Sequence, residues 1–167
     1  METSNHIQIA GAFEPLFSLA ADIARWPDIL PHYRWVKVLR REGNHVIAEM
    51  AARHKRIPLW WRTIQRSKPE DKRIEFTHIG GITKGMEVEW TFTPIQEGWR
   101  IQIHHRFDPP WPLLGPWIAE KIIGQMFVEQ IAGKTLGCIK KIVEGSPSPP
   151  PSPLEGKGVR VRGLGIS

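Results

Sequence analysis

The chain of 167 residues contains one cysteine, Cys138, and one tyrosine, Tyr33. A single thiol excludes an intramolecular disulfide framework and a cysteine-based zinc site. It suits a reducing compartment, so a cytoplasmic location is expected. No run reaches the roughly eighteen consecutive apolar residues that a membrane-crossing helix needs. Met1 to His6 hold no basic stretch leading into an apolar run, so no signal peptide is expected. Carboxylates are scarce too: 17 Asp and Glu face 23 Lys and Arg, leaving a net charge of +6 and a pI near 9.8. Bulk composition is ordinary, with 41% hydrophobic and 24% charged residues, which excludes wholesale disorder and suits one domain with one core. Tryptophan is the exception, at eight residues.

Composition changes at about residue 144. Residues 145–167 hold five of the 15 prolines and five of the 15 glycines. Such a stretch cannot bury enough apolar surface to offset its ordering entropy. It reads as a disordered tail on a domain spanning residues 1–144. Lys157, Arg160 and Arg162 against Glu155 give that tail a charge of +2, which weakens the overall pI as an argument for polyanion binding.

Within the domain, hydrophobic periodicity orders the elements. His6 to Ala10 alternates and reads as a strand. Phe13 to Ala24 has apolar residues at helical spacing and stops before Pro27, and Asp28 to Leu30 reads as a second helical turn. Six alternating segments follow in hairpin pairs: Tyr33–Arg41 with His45–Arg53, Leu59–Ser67 with Arg73–His78, and Gly85–Thr93 with Gly98–Phe107. Gly43-Asn44 between the first two is a strong turn signal. Gly115 to Glu144 reads as one long helix. The fold class is therefore α+β: a seven-stranded curved antiparallel sheet wrapped around a long C-terminal helix, in the order β-α-α-β6-α.

Strand parity suggests which residues meet. Met86, Val88 and Trp90 share one face of their strand, and Ile103 and His105 share one face of theirs. On the terminal helix, Phe127, Ile131 and Thr135 lie on one apolar stripe. A curved sheet bends away from a straight helix, and the space between them is a natural small-molecule cavity. Leu59 to Ser67 is ambiguous, because each face mixes apolar and polar residues. If Trp60, Arg62 and Arg66 point inward, they supply an aromatic wall and two fixed donors for the polar end of a ligand. If they point outward, the arginines are simply solvated.

Trp26-Pro27-Asp28-Ile29-Leu30-Pro31-His32-Tyr33, the strand holding Arg66, the segment Gly85 to Trp90 and the helix Ile131 to Leu136 together resemble the START-like (SRPBCC) superfamily. Within it they look most like the polyketide cyclase/dehydrase and coenzyme Q-binding Coq10-like group. The resemblance spans about Ser4 to Glu144 and implies the helix-grip fold. It implies binding of a hydrophobic small molecule, a lipid, quinone or polyketide-like compound, with no cofactor or metal. It also places Trp26, Leu30 and Tyr33 at the helical end of the pocket and Trp60 and Arg66 on the facing strand. The alternative it carries is an enzyme, a polyketide aromatase/cyclase or dehydratase. In that reading Arg66 anchors a ketone oxygen and stabilises an enolate, and Tyr33 donates or relays a proton. Two positions depart from the cyclase pattern, Arg62 for an aromatic residue and Ile64 for a hydroxyl, which suits a ligand such as a quinone.

Other features have plainer readings. His104 and His105 are adjacent in a strand, so their rings face opposite ways and cannot chelate one metal. His78 and His105 can both face the cavity, as core histidines or as a proton-transfer pair. Trp111 to Ile123 is more apolar than one buried stripe needs and reads as the cavity mouth, or as a patch for a membrane surface or a second subunit. Lys37, Arg40, Arg41, Arg53, His54, Lys55 and Arg56 form a basic region, but no nucleic-acid-binding motif accompanies it, so nucleic acid ranks third as a partner. That third reading is a ribosome-associated protein, as some Coq10-like relatives are described.

Overall fold

The computed structural model describes residues 1–109, 117, 121 and 130–145. Its elements run β1 (Glu2–Ile9), α1 (Phe13–Ala21), a short 3-10 turn (Ile23–Arg25), α2 (Trp26–Ile29), β2 (Tyr33–Glu42), β3 (His45–His54), β4 (Ile57–Lys68), β5 (Arg73–Gly81), β6 (Glu87–Ile95), β7 (Gly98–Arg106) and α3 (Gly133–Gly145). The seven strands form one antiparallel sheet in the order β1-β7-β6-β5-β4-β3-β2. The first two strands in sequence are thus the two edges, and α1 and α2 carry the chain between them. This is the curved, helix-covered sheet expected from the alternation.

Differences from the expected boundaries have local causes. β1 begins at Glu2 and not His6, because its inward positions Thr3 and Asn5 are polar and give no apolar alternation. The first helix ends at Ala21, where the Asp22 amide bonds back to the Ser18 carbonyl at 3.0 Å and the chain tightens into the 3-10 turn. Of the expected helix Gly115–Glu144, the described continuous part is α3 with the turn at 130–132 before it. Phe127 lies outside the described residues, as do most of Trp111 to Ile123 and residues 146–167 of the expected tail 145–167.

Packing divides the concave side into two aromatic clusters. Near α1, Phe13 meets Phe17, Phe92 and Trp99 at centroid distances of 5.1, 5.9 and 4.9 Å. Toward the other end, Trp26 meets Tyr33 at 5.0 Å and Trp90 at 6.0 Å, and Tyr33 meets Trp61 at 6.1 Å. α3 and the helical turn at 130–132 leading into it close this side with Ile131, Ala132, Thr135, Leu136 and Ile139, a stripe at helical spacing. It is tied to β1 by Lys140 Nζ donating to the Gln8 carbonyl at 2.7 Å and by the Ala10 amide donating to Glu144 at 3.1 Å. Cys138, beside that stripe, is half-buried.

The mixed strand β4 is decided by its neighbour. β3 has a clean inward face of Val46, Ala48, Met50 and Ala52, and its register pairs Met50 with Trp61, Ala48 with Thr63 and Val46 with Gln65. Directly paired residues share a face, so Leu59, Trp61, Thr63 and Gln65 point inward. Trp60, Arg62 and Arg66 therefore point away from the cavity, which corrects the inward placement that the family resemblance implied for Trp60 and Arg66. Arg62 Nε donates to Glu49 at 3.1 Å, and Arg66 donates to the Thr77 hydroxyl at 3.2 Å, both on the convex face.

Candidate ligand-binding site

The space between sheet and helix is a cavity of about 40 Å³. It is lined by Trp26, Tyr33, Met50, Trp61, Phe76, His78, Val88, Trp90, Ile103, His105, Ile131, Ala132 and Thr135. Each arrives by the local logic of its element. Inward parity brings Met50, Trp61, Phe76, His78, Val88, Trp90, Ile103 and His105 from five adjacent strands. α2 supplies Trp26, whose indole is aimed by a 3.1 Å bond from its Nε1 to the Leu19 carbonyl. The turn before α3 and its first residues supply Ile131, Ala132 and Thr135 from above.

Nine of the residues singled out from the sequence meet at this cavity: Trp26, Tyr33, His78, Val88, Trp90, Ile103, His105, Ile131 and Thr135. Leu30 and Met86 are fully buried in the surrounding core but do not line it. Trp60 is 40% exposed on the convex face. Arg66 lies in a shallow outer groove with Glu75, Glu87, Glu89 and Arg106, so it faces no reacting group inside the cavity. Met50, Trp61, Phe76 and Ala132 were missed. For Trp61 the signal was present: a two-residue turn at Lys55-Arg56 pairs His54 with Ile57, which sets Met50 opposite Trp61.

Polar groups at the wall are few and neutral. Thr135 Oγ1 donates to the Ile131 carbonyl at 2.8 Å and also contacts His32 Nε2 at 2.8 Å. Having given its only proton to Ile131, the hydroxyl can only accept from His32, which fixes that imidazole as the Nε2–H tautomer. Burial, helped by the nearby Lys134 charge, lowers the His32 pKa to about 4. Burial pushes the Tyr33 phenol well above its usual range, opposed by its hydrogen bond with Thr135. His78 stacks on Trp61 at 5.8 Å with an 11° interplanar angle, and its Nδ1 is 2.7 Å from the Thr83 hydroxyl. Burial, then the neighbouring His105, lowers its pKa to about 3.

His105 differs from the other two histidines. Burial, then His104, lowers its pKa to about 4, so it too is neutral at pH 7. Among the described residues its buried Nδ1 has no hydrogen-bond partner, and the Thr3 hydroxyl across the β1–β7 ladder is in the same condition. An unpaired buried polar atom costs roughly 1–3 kcal/mol. At a cavity wall, that cost is removed by a ligand group able to bond to it. Among the described residues no group of His, Cys, Asp and Glu side chains is arranged to hold a metal ion, and no helix is long and apolar enough to cross a membrane.

Comparison with known proteins places this geometry. A curated relative, the granaticin polyketide synthase bifunctional cyclase/dehydratase of Streptomyces violaceoruber, is 29% identical over 104 residues, 60% of this chain and 32% of the relative. The matched region is thus about a third of that relative's length. The crystal structure of the Zhui aromatase/cyclase from Streptomyces sp. R1128 superposes with a TM-score of 0.77 at 15% identity, covering 86% of this chain and 93% of that one. A START superfamily protein from Mycobacterium smegmatis superposes with a TM-score of 0.68 at 15% identity, covering 86% and 97%. At such identities these structures establish the fold alone. Residues 9–132, most of the chain and nearly all of the cavity-forming sheet, match the family described as polyketide cyclase / dehydrase and lipid transport, and the chain belongs to that family.

Proposed function

We propose that the chain binds a hydrophobic, ring-containing small molecule in the cavity between the sheet and α3, with His105 as its polar contact. The observation that carries this reading is an apolar wall of five aromatic side chains, Trp26, Tyr33, Trp61, Phe76 and Trp90, interrupted by one buried nitrogen that has no partner among the described residues. A neutral His105 Nδ1 meets a hydroxyl donor if it lacks a proton and a carbonyl acceptor if it bears one, which fits a quinone or polyketide-like compound. Family membership supports the same class of ligand.

The cavity of about 40 Å³ is far below the roughly 300–1,000 Å³ of sites that enclose such ligands. Binding therefore requires the wall to open, and association well below the diffusion limit is expected. The test is native mass spectrometry of gently purified protein, joined to tryptophan-fluorescence titration with a water-soluble naphthoquinone. Saturable quenching in the wild type, weakened in His105→Leu, is the expected result. No quenching and no co-purified small molecule would overturn the reading.

A second reading, polyketide cyclase or dehydratase, is supported by the family and by the granaticin relative. Its acid–base groups must come from the cavity wall, where His105 and Tyr33 stand, and not from Arg66 on the convex face. Turnover of a poly-β-ketone analogue that survives Arg66→Ala and is lost in His105→Leu distinguishes this reading from simple binding.

A further inference from the structure

The sheet has two ends, and the cavity lies toward the one formed by the start of β2, the β3–β4 hairpin and the β5–β6 turn. Tyr33, Trp61, His78 and His105 all sit within a few residues of strand termini there. This end carries five exposed cations: Arg34, Arg53, Lys55, Arg56 and Lys84. Among the described residues none of the five makes an ion pair. The sequence supplies no carboxylate between Asp28 and Glu42, between Glu49 and Glu70, or between Glu75 and Glu87. Among the described residues, Glu2, Glu87 and Asp108 reach this end on the β1-β7-β6 half of the sheet, and Glu87 is paired with Arg106.

Large apolar side chains are exposed among these cations. Ile57 is 52% exposed directly beside Lys55-Arg56, and Ile82 is 38% exposed two residues before Lys84. The second tip is held firmly, since buried Thr83 contacts His78 and the Met86 amide bonds to the Thr83 carbonyl at 2.9 Å. Behind the tips, register sets Trp35, Ala51 and Trp60 in one row across the convex face. The Trp60 ring lies across Gly80 and Gly81, where an added Cβ would come within 3.7 and 3.0 Å of it. Both indoles are about two-fifths exposed, at 41% and 40%.

We propose that this end docks on an anionic lipid bilayer, with the Ile57 and Ile82 tips entering the interface, the two tryptophans at headgroup depth and the cations against lipid phosphates. Unpaired cations complement an anionic surface, and indoles favour the headgroup zone. An RNA partner would use the cations but has no use for isoleucines held out at both tips, which is why the bilayer is favoured. The inference rests on the hydrophobic-ligand reading for its purpose, because docking this end brings the cavity to the phase in which such a ligand is dissolved. The docking itself is testable without any ligand.

The experiment is co-sedimentation of the full chain with vesicles of phosphatidylcholine alone and of an equal mixture of phosphatidylcholine and phosphatidylglycerol. Binding to the anionic vesicles, weakened by salt, is expected. The double variant Lys55→Glu with Arg56→Glu should lose roughly a hundredfold or more in partitioning, each displaced charge near the surface being a factor of about five. Ile57→Ser should also weaken it. Arg41→Glu with Arg100→Glu, an equal charge change at the opposite end, should alter it only slightly. Circular dichroism confirms that each variant is folded. Equal loss in both double variants, equal binding to both vesicle types, or binding to ribosomal RNA without binding to vesicles would each overturn the proposal. Naphthoquinone quenching is measured on the same samples. Vesicle binding lost with quenching intact supports the docking site alone, and quenching absent from a vesicle-binding wild type overturns the cavity reading while docking stands.

Discussion

Acidification tests the state of the cavity wall most directly. His32, His78 and His105 are held neutral in the folded chain, with pKa values of about 4, 3 and 4, against 6.5 when unfolded. A lowered histidine pKa means that the unfolded state binds protons first. Stability is therefore complete above pH 6.5, falls as the pH drops below it, and stops falling once the folded histidines protonate near pH 3–4. At pH 5 each group contributes a loss of roughly 2 kcal/mol, and the three together roughly 6 kcal/mol. That is a large part of the 5–15 kcal/mol typical of a folded domain. Urea unfolding at pH 7, 6 and 5 reads the effect as a falling midpoint with unchanged slope. His105→Leu should recover about a third of the loss at pH 5, and at pH 7 it should be stabilised by about 1–3 kcal/mol because it removes an orphaned polar atom. A midpoint independent of pH, or a His105→Leu chain as acid-sensitive as wild type, would refute the reasoning and show that the wall is hydrated.

Further outcomes follow from other sites. Arg66→Ala removes an exterior contact to Thr77, so it should cost under about 1 kcal/mol in urea unfolding and leave naphthoquinone affinity unchanged. Thr135→Val strips His32 and Tyr33 of their shared acceptor, and a loss of roughly 1–3 kcal/mol in the same assay is expected. Gly98 has φ +142°, and an added Cβ would stand 2.2 Å from the Ile9 carbonyl oxygen. Gly98→Ala should accordingly separate β1 from β7 and lower the unfolding midpoint by more than the ordinary ~1 kcal/mol of a point substitution.

Much of this architecture was legible before any coordinates. Where one face of a strand is apolar and the other polar, as at Val88, Trp90, Ile101 and Ile103, burial leaves only one orientation, and the element follows from its alternation. The same holds for Ile131, Thr135 and Ile139, whose spacing admits one buried stripe. Trp26 and Tyr33 reached the cavity because Pro27 opens α2 and Pro31, just past its end, stops the helix where the chain turns into β2.

Element order, the antiparallel sheet and most of the inward set were readable from the chain alone, because those depend on periodicities of one segment at a time. The orientation of β4 was settled by its packing in the folded sheet. Each of its faces mixes apolar and polar residues, so alternation alone does not select between them. The ladder with β3 does, setting Trp61 inside against Met50 and sending Arg62 out to Glu49 and Arg66 out to Thr77. The size of the cavity is likewise tertiary, since the same lining residues enclose more or less space according to how closely α3 lies on the sheet. The scarcity of carboxylates was visible from the outset, but only the hairpin geometry gathered the uncompensated cations at the end of the sheet toward which the cavity lies.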